Sequence, residues 1–246
     1  MTGRPYRDFA DYYDRLMAGR YVSRWWWLFR RLQVQHGLRY RRVADLAGGT
    51  GEAARRLSGP GRTLFIVDRS AEMLARARTR VPGARLLRQD LRRLRLPEPV
   101  DLAVCVFGGI NYLSSLARIT AVARRVRRAL APGGVFCLDA VTVHHLNQRH
   151  KRGVETFSGA GYYSVWRYRR DPHRANLRIR VEGFRRLPGG LWSSLRPELH
   201  VHHAYPLPAL RGALRRAGFS RVEAYGLPLG TPPRASDEYW LFWARA

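Results

Sequence analysis

A glycine cluster follows an apolar run in the segment RVADLAGGTGEAARRL, residues 42–57. Gly49 and Gly51 lie two residues apart, and Asp45 stands at the end of the apolar run. Glycines let the backbone approach a ligand closely because they carry no Cβ. A loop of this kind between a strand and a helix predicts a site for a nucleotide-like ligand.

Two more acids stand where predicted strands end. Asp68 closes the apolar segment TLFIVD, and Asp90 follows the segment ARLLRQ. The carboxyl ends of parallel strands meet at one edge of a sheet, so we expect these acids and Asp45 to surround one crevice. Any one acid alone could serve as a helix N-cap or a solvated charge. Three in succession, each at a strand end, favour a ligand site.

The residues after the glycines limit the possible ligands. A loop that binds nucleoside triphosphates requires Lys and then Ser or Thr after its last glycine, whereas Glu52 and Ala53 follow Gly51 here. A dinucleotide fits better, because Gly49, Gly51 and Ala54 match the pattern G-x-G-x-x-A. A carboxylate at the mouth of the loop would repel its pyrophosphate, however.

S-adenosylmethionine fits this set of charges, because it carries an ammonium group and a ribose diol but no phosphate. Asp45 would face the ammonium group, and Asp68 would accept hydrogen bonds from the ribose. Asp90 would accept a hydrogen bond from the adenine amino group. These residues therefore predict an S-adenosylmethionine site.

The elements that position these residues alternate between strand and helix up to residue 141. Continuous apolar runs such as VDLAVCVF are typical of strands buried on both faces of a parallel sheet. After Val141 the pattern changes to a period of two, with Leu177, Ile179 and Val181 alternating with charged residues. We expect a single domain with N-terminal helices (1–37), a cofactor-binding core (38–141), an antiparallel insertion (142–205) and a C-terminal helix and strand pair (206–246).

The chain resembles the class I S-adenosylmethionine-dependent methyltransferases from about Tyr6 to its end, nearest to small bacterial members of the methyltransferase-25 type. The segments VADLAGGTG, IVDRSAEML, LRQDL and VDLAVCVFGGINYL resemble the first four motifs of that family. The resemblance implies an α/β, Rossmann-like, doubly wound, mostly parallel seven-stranded sheet with a reversed last strand, plus an antiparallel β-meander that acts as a lid. The cofactor residues that it implies are Asp45, Ala47, Gly48, Gly49, Gly51, Asp68, Arg69, Met73, Asp90, Leu91 and Phe107.

The sequence departs from the family pattern at a few positions. Ala47 replaces the leading glycine of the first motif, and Gly48 replaces the cysteine that usually follows. Arg69 stands where an apolar residue usually packs on adenine, and its guanidinium plane could stack there instead. Gly108 occupies a position that is often polar, so the groups that contact the methionine end or the acceptor remain open.

Candidate residues on the acceptor side come from three regions that can reach the strand ends. We expect Tyr13 of the N-terminal helix, Asn111 of the loop FGGINYL and His200 of the segment PELHVHHAY to contribute to catalysis. Glu198, His200 and His202 share one face of a predicted strand, so the carboxylate could orient an imidazole as a base. The alternative is a polar outer face of an edge strand. A His pair with a carboxylate could also bind a metal, but nothing completes such a set, and we expect no metal.

The net charge of the chain does not decide between a small molecule and RNA as the binding partner. The formal net charge is +27, and Lys151 is the only lysine. Arginines occur in every segment, which favours a general preference for arginine over a nucleic-acid site, although RNA stays an alternative. No apolar run approaches the length of about 20 residues that crosses a membrane, and no signal peptide is evident. With two cysteines in apolar runs, we expect a cytosolic protein with buried thiols.

These observations lead to one main functional hypothesis and three rivals. The main hypothesis is S-adenosylmethionine-dependent methyl transfer to a small molecule by in-line displacement. The first rival is a tRNA or rRNA methyltransferase, which requires arginines of the insertion and of RRLRL to converge on the pocket. A non-catalytic binding module and an NAD-dependent dehydrogenase are more distant alternatives. The sequence leaves the oligomeric state undetermined.

Overall fold

The computed structural model describes residues 6, 10–17, 20–159, 161–171 and 176–246. Two sheets and their helices make up this part of the chain. The helices are α1 (Ala10–Met17), α2 (Arg20–Gln35), α3 (Glu52–Leu57), α4 (Ala71–Arg80), α5 (Leu116–Ala129), α6 (Val143–Arg152) and α7 (Leu207–Arg216). The strands are β1 (Arg42–Leu46), β2 (Thr63–Asp68), β3 (Arg85–Arg88), β4 (Val100–Cys105), β5 (Leu130–Val141), β6 (Val154–Gly159), β7 (Tyr162–Arg170), β8 (Asn176–Arg186), β9 (Trp192–Ser194), β10 (Glu198–His203), β11 (Arg221–Leu227) and β12 (Tyr239–Arg245).

The larger sheet has seven strands in the order β11-β12-β5-β4-β1-β2-β3. Strands β1 to β5 are parallel, whereas β12 runs antiparallel to both of its neighbours. The apolar runs of β1, β2 and β4 are buried because helices cover both faces of the sheet. This topology confirms the predicted Rossmann-like sheet with a reversed last strand. It also places the ends of β1, β2 and β3 around one crevice, as the sequence predicted, and adds the end of β4.

The N-terminal helices form where the sequence predicts them. In α2 the Trp25 side chain is fully buried, whereas Trp27 is 54% exposed. The triple tryptophan therefore packs against the core on only one face of its helix.

The smaller sheet is antiparallel, in the order β10-β8-β7-β6, with β9 paired to β8. Leu177, Ile179 and Val181 are buried while Arg178 and Arg180 are exposed, which confirms the predicted alternation. The segment LPGG turns between β8 and β9, where the Gly190 amide donates to the Leu187 carbonyl at 3.1 Å. The segment RDPHRAN is also typical of a turn, but most of it lies outside the described residues.

Two segments differ from what their composition predicts. The basic segment NQRHKRG is typical of a solvated loop, but it lies mostly in α6, because Thr142 caps the helix and Leu146 packs into the core. The Pro-Gly-Gly segment at residues 132–134 is typical of a helix end, but it does not close α5. That helix ends at Ala129, and Leu130 already pairs with Val100 in the sheet. The strand β6 was also absent from the sequence interpretation.

Cys105 and Cys137 are buried free thiols on neighbouring strands, as predicted. None of the helices in the described ranges combines the length and apolar character needed to cross a membrane. In the same part of the chain, no three His, Cys, Asp or Glu side chains come together in a way that could hold a metal ion.

Candidate active site

A cavity of about 340 Å³ opens at the carboxyl ends of β1, β2 and β4. The glycine loop forms one wall, and Tyr6, Tyr13 and Tyr112 form another. Nine of the eleven predicted cofactor residues line this cavity. They are Ala47, Gly48, Gly49, Asp68, Arg69, Met73, Asp90, Leu91 and Phe107.

Asp68 connects the glycine loop to the cavity. Its Oδ2 accepts a hydrogen bond from the Gly49 amide at 2.9 Å, and its Oδ1 accepts one from the Ser70 amide at 2.9 Å. Burial raises the pKa of Asp68, and these two amides oppose that rise. A carboxylate held in this way can still accept hydrogen bonds, because each oxygen has two lone pairs.

The structure corrects the prediction for Asp45. Its side chain is 1% exposed, and its Oδ2 accepts a hydrogen bond from the Ala54 amide at 3.0 Å, in the first turn of α3. A Cβ added at Gly48 would lie 2.7 Å from the Asp45 Cγ, so the carboxylate lies directly beneath the loop. Asp45 therefore supports the loop from below and does not line the mouth of the cavity. Gly51 also lies away from the cavity, with a φ of 81° that favours glycine.

Because Asp45 is buried, its pKa predicts how the free energy of unfolding changes with pH. Burial raises the pKa of Asp45 to about 7, whereas an unfolded aspartate titrates near about 4. Between these values the folded chain keeps a proton that the unfolded chain has lost, so the free energy of unfolding falls as pH rises. Above about pH 7 the folded chain must hold a buried charge. Between about pH 5 and about pH 8, we therefore expect the free energy of unfolding to fall less in Asp45→Asn than in the wild type.

The measurement is the urea midpoint of the wild type and the variant at both pH values. Asp101→Asn is the control, because hydrogen bonds from Arg41 and Arg42 lower the pKa of Asp101 despite its partial burial. If the urea midpoint changes equally between the two pH values in the wild type and in Asp45→Asn, the expectation is contradicted.

Two acids that the sequence interpretation did not single out support the cavity wall. Asp139 of β5 is fully buried and accepts hydrogen bonds from the amides of Phe107 at 2.7 Å and Gly108 at 2.8 Å. Both of these residues have positive φ, so the carboxylate stabilises a strained turn after β4. Asp14 of α1 accepts a hydrogen bond from the Thr50 hydroxyl at 2.6 Å and from Arg80 at 2.8 Å. An acid in an apolar strand was a detectable signal for Asp139, whereas the Asp14 contacts required the fold.

The residues predicted to contact adenine have different neighbours in the structure. Asp90 lines the cavity, but its carboxylate also binds the guanidinium group of Arg92, which lowers its pKa. The Arg69 guanidinium lies over the Tyr112 ring, 5.9 Å from the ring centroid. The side chain of Met73 lies below Gly49. Contacts of these residues with adenine stay predictions.

Of the three acceptor-side candidates, only Tyr13 lines the cavity. Asn111 is 1% exposed, and its amide nitrogen donates to the carbonyls of Val141 and His203. Its Oδ1 accepts a hydrogen bond from the Val141 amide at 2.9 Å. The prediction that Asn111 contacts the acceptor is therefore wrong, because backbone groups satisfy its side chain. It links the turn after β4 to β5 and β10.

Glu198 and His200 are buried, with exposures of 2% and 4%. The interpretation of this strand face as a polar outer surface is therefore wrong. β10 lies at the edge of its sheet, but its inner face packs against Tyr6 and Tyr112. His200 does not line the cavity and reaches it only through these tyrosines. His144 and His145 lie in α6, and burial lowers the pKa of His145 to about 3.

Comparison with known proteins finds similarity to methyltransferases. Residues 43–134 match the family described as "Methyltransferase domain". A putative methyltransferase of Bacillus subtilis, YqeM, is 30% identical over 138 residues, and the match spans about half (54%) of each chain. An S-adenosylmethionine-dependent methyltransferase from Clostridium acetobutylicum has the same fold, with a TM-score of 0.84, 22% identity and 98% coverage of both chains. The amino pentose methyltransferase CalS10 of Micromonospora echinaspora, solved with S-adenosylmethionine, has a TM-score of 0.70 and 20% identity, with 100% of this chain and 99% of that chain covered.

The sheet order and the acids at the strand ends define a Rossmann-like methyltransferase fold. With the matched domain over residues 43–134, they make the chain similar to S-adenosylmethionine-dependent methyltransferases.

The residues that line the cavity fit this cofactor. The Asp68 carboxylate could accept hydrogen bonds from the ribose hydroxyls, and the apolar side chains of Met73, Leu91 and Phe107 could enclose the adenine ring. Glu52 also lines the cavity next to the glycine loop, and its carboxylate pairs with Arg55, Arg56 and Arg80.

Proposed function

We infer that this protein methylates a small molecule, with S-adenosylmethionine as the methyl donor. The observation that carries the proposal is that one cavity joins the glycine loop to a wall of three tyrosines. When bound, the cofactor supplies a methyl group activated by a sulfonium. Tyr6, Tyr13 and Tyr112 would orient the acceptor against that methyl group, and orientation accounts for much of the rate of such a displacement.

Tyr6 and the helix α1 pack against the antiparallel sheet at the tyrosine side of the cavity. The Tyr12 ring stacks on Tyr162 of β7 at a centroid distance of 4.0 Å, which joins α1 to the smaller sheet. A covered wall of this kind suits a small acceptor and excludes water. The name of CalS10 supports an amine as the first acceptor class to test, because that protein is an amino pentose methyltransferase.

The rival RNA hypothesis required arginines of the insertion to face the pocket. Arg167, Arg169, Arg178 and Arg180 lie on the exposed face of β7 and β8. The opposite face of these strands carries the apolar residues that pack against Tyr6, Tyr12 and Tyr13. Arg92 of RRLRL does line the cavity, but it is paired with Asp90. This arrangement supports the small-molecule acceptor.

The test begins with calorimetric titration of S-adenosylhomocysteine and, separately, NADH into protein stripped of nucleic acid. We expect S-adenosylhomocysteine to bind with a Kd in the range of about 1–100 μM that changes little between low and raised salt, and we expect NADH not to bind. A panel of primary and secondary amines, amino sugars, phenols and bulk tRNA is then offered with methyl-labelled S-adenosylmethionine.

Label in an amine or another small molecule would support the proposal. Label in tRNA alone would overturn the acceptor class while leaving the cofactor assignment intact. Binding of NADH without S-adenosylhomocysteine would overturn both. Binding of S-adenosylhomocysteine without any transfer, even at high enzyme concentration, would favour the non-catalytic binding module.

A further inference from the structure

Four polar groups form a continuous series behind the cavity. The Tyr6 and Tyr112 hydroxyls share a hydrogen bond of 2.6 Å, and the Tyr112 hydroxyl lies 2.8 Å from Nδ1 of His200. The Nε2 atom on the other side of that imidazole lies 3.2 Å from Oε2 of Glu198. The same Oε2 accepts a hydrogen bond from the Tyr6 backbone amide at 2.6 Å, so the series closes on itself.

One end of this series lies at the cavity, and the other end is buried in the protein. Tyr6 and Tyr112 line the cavity, whereas His200 and Glu198 are almost completely buried behind them. The sequence separations are 106 residues between Tyr6 and Tyr112 and 88 between Tyr112 and His200. Three separate segments of the chain therefore converge to join a buried carboxylate to the acceptor wall.

The Glu198 carboxylate, at the buried end of the series, sets the direction of its hydrogen bonds. A carboxylate accepts hydrogen bonds, so the nitrogen facing Glu198 should carry the imidazole proton. The 3.2 Å contact is an ion-pair distance without the alignment of a good hydrogen bond, and Nε2 has no other hydrogen-bond partner among the described residues. With the proton on Nε2, Nδ1 is left with a lone pair that accepts from Tyr112. The Tyr112 oxygen can then accept from Tyr6.

We propose that this Tyr6–Tyr112–His200–Glu198 series, named here the proton relay, removes a proton from the methyl acceptor. The inference rests on the proposed function and deepens it, because it requires an acceptor that bears a proton on its nucleophilic atom, such as an amine or a hydroxyl. His200 and Glu198 would act through the tyrosines and are positioning residues in this scheme.

The step balances as a proton transfer coupled to methyl transfer. The lone pair of the acceptor forms a bond to the methyl carbon, and the carbon–sulfur bond breaks with its electron pair on sulfur. The acceptor proton passes to the Tyr6 oxygen, the Tyr6 proton passes to the Tyr112 oxygen, and the Tyr112 proton passes to Nδ1 of His200, so both tyrosines end neutral. The resulting imidazolium is stabilised by the Glu198 carboxylate, in the way that an acid stabilises the histidine of a hydrolase triad.

Neutral tyrosines suit this relay. Burial raises the pKa of both Tyr6 and Tyr112, so the phenols pass a proton on and do not hold a negative charge. Other titratable or charged groups around the series affect its pH dependence. They are Tyr13, Asp68, Arg69, His145, Arg149, Tyr162 and His202.

The first arm of the test needs no acceptor. Nitrogen-15 NMR of the imidazole rings in the S-adenosylhomocysteine complex, assigned with His200→Gln, reports which His200 nitrogen carries the proton. We expect a neutral ring with the proton on Nε2, and we expect the Nδ1 resonance to move in Tyr112→Phe. A proton on Nδ1, or a doubly protonated ring near pH 8, would overturn the relay, because neither form can accept the Tyr112 proton.

The second arm uses the acceptor that the panel identifies. We expect His200→Gln and Tyr112→Phe each to lower kcat by about 100-fold, a typical contribution of proton transfer, with a change in KM below about threefold. The double variant should lose no more than either single variant, because the residues act as a unit. In the wild type, the rate should reach a plateau as pH rises. In His200→Gln it should keep rising with hydroxide.

Two controls separate the relay from structural damage and from failure of the proposed function. His203→Gln changes a histidine on the opposite face of the same strand, and we expect its kcat and pH profile to match the wild type. The affinity for S-adenosylhomocysteine should stay within about threefold in His200→Gln and His203→Gln, because neither residue lines the cavity. A wild type that fails to bind S-adenosylhomocysteine contradicts the proposed function. Normal binding with wild-type kcat and pH profile in His200→Gln contradicts only the relay.

Discussion

Replacement of Asp68 by alanine is expected to weaken the binding of S-adenosylhomocysteine by at least about 100-fold. The carboxylate lines the cavity and holds the amides of Gly49 and Ser70. Hydrogen bonds to a charged group contribute about 1.5–3 kcal/mol each, so the loss of two from a ribose diol alone accounts for that factor. Release of the glycine loop adds to the loss. Calorimetric titration measures the Kd directly.

Asp101→Ala is the matched control for this change. Asp101 also accepts hydrogen bonds from two backbone amides, those of Arg41 at 2.9 Å and Arg42 at 2.8 Å. It lies at the start of β4, at the opposite end of the strands from the cavity. We expect its variant to bind S-adenosylhomocysteine like the wild type. A similar Kd in Asp68→Ala and Asp101→Ala would show that Asp68 does not contact the ligand.

Replacement of Asp139 by alanine is expected to cost about 2–6 kcal/mol of the free energy of unfolding. The side chain is fully buried, and its removal leaves the amides of Phe107 and Gly108 without their acceptor. Each buried unsatisfied amide costs about 1–3 kcal/mol. Urea unfolding monitored by fluorescence gives the loss. Affinity for S-adenosylhomocysteine should fall as well, because Phe107 lines the cavity.

The control for this prediction compares the buried carboxylate of Asp139 with the partly exposed carboxylate of Asp101. The Asp101 side chain is 24% exposed, so water can replace it at the amides of Arg41 and Arg42, and Asp101→Ala should lose much less stability. Asp139→Asn should lose an intermediate amount, because its amide oxygen can still accept one of the two hydrogen bonds. Equal losses in Asp139→Ala and Asp101→Ala would contradict the role assigned to the buried carboxylate.

Much of the fold could be predicted because its signals are local. Continuous apolar runs indicated strands buried on both faces, and the alternation of Leu177, Ile179 and Val181 with arginines indicated a half-buried sheet. The helix α4 follows its N-cap Ser70, whose hydroxyl accepts the Met73 amide. The helix α6 was missed because its polar sequence, VHHLNQRHKR, offers few apolar positions with helical spacing.

The site could be predicted to the level of its region and less well to the level of individual contacts. The order of parallel strands requires their carboxyl ends to meet, so the sequence alone indicated where a ligand would lie. It did not indicate which acid faces the ligand. Asp45 and Asp68 both end apolar strands, yet Asp45 lies beneath the loop and Asp68 in the cavity wall.

By itself, therefore, the sequence determined the doubly wound sheet and the glycine loop, since these depend on residues close together in the chain. Only the tertiary structure decided which side chains share the cavity. Glu198 and the amide of Tyr6 are 192 positions apart, and their contact depends on how the antiparallel sheet packs over the N-terminal segment. Long-range packing of this kind leaves no periodic pattern in the sequence, because it is set by the shapes of the two surfaces that meet.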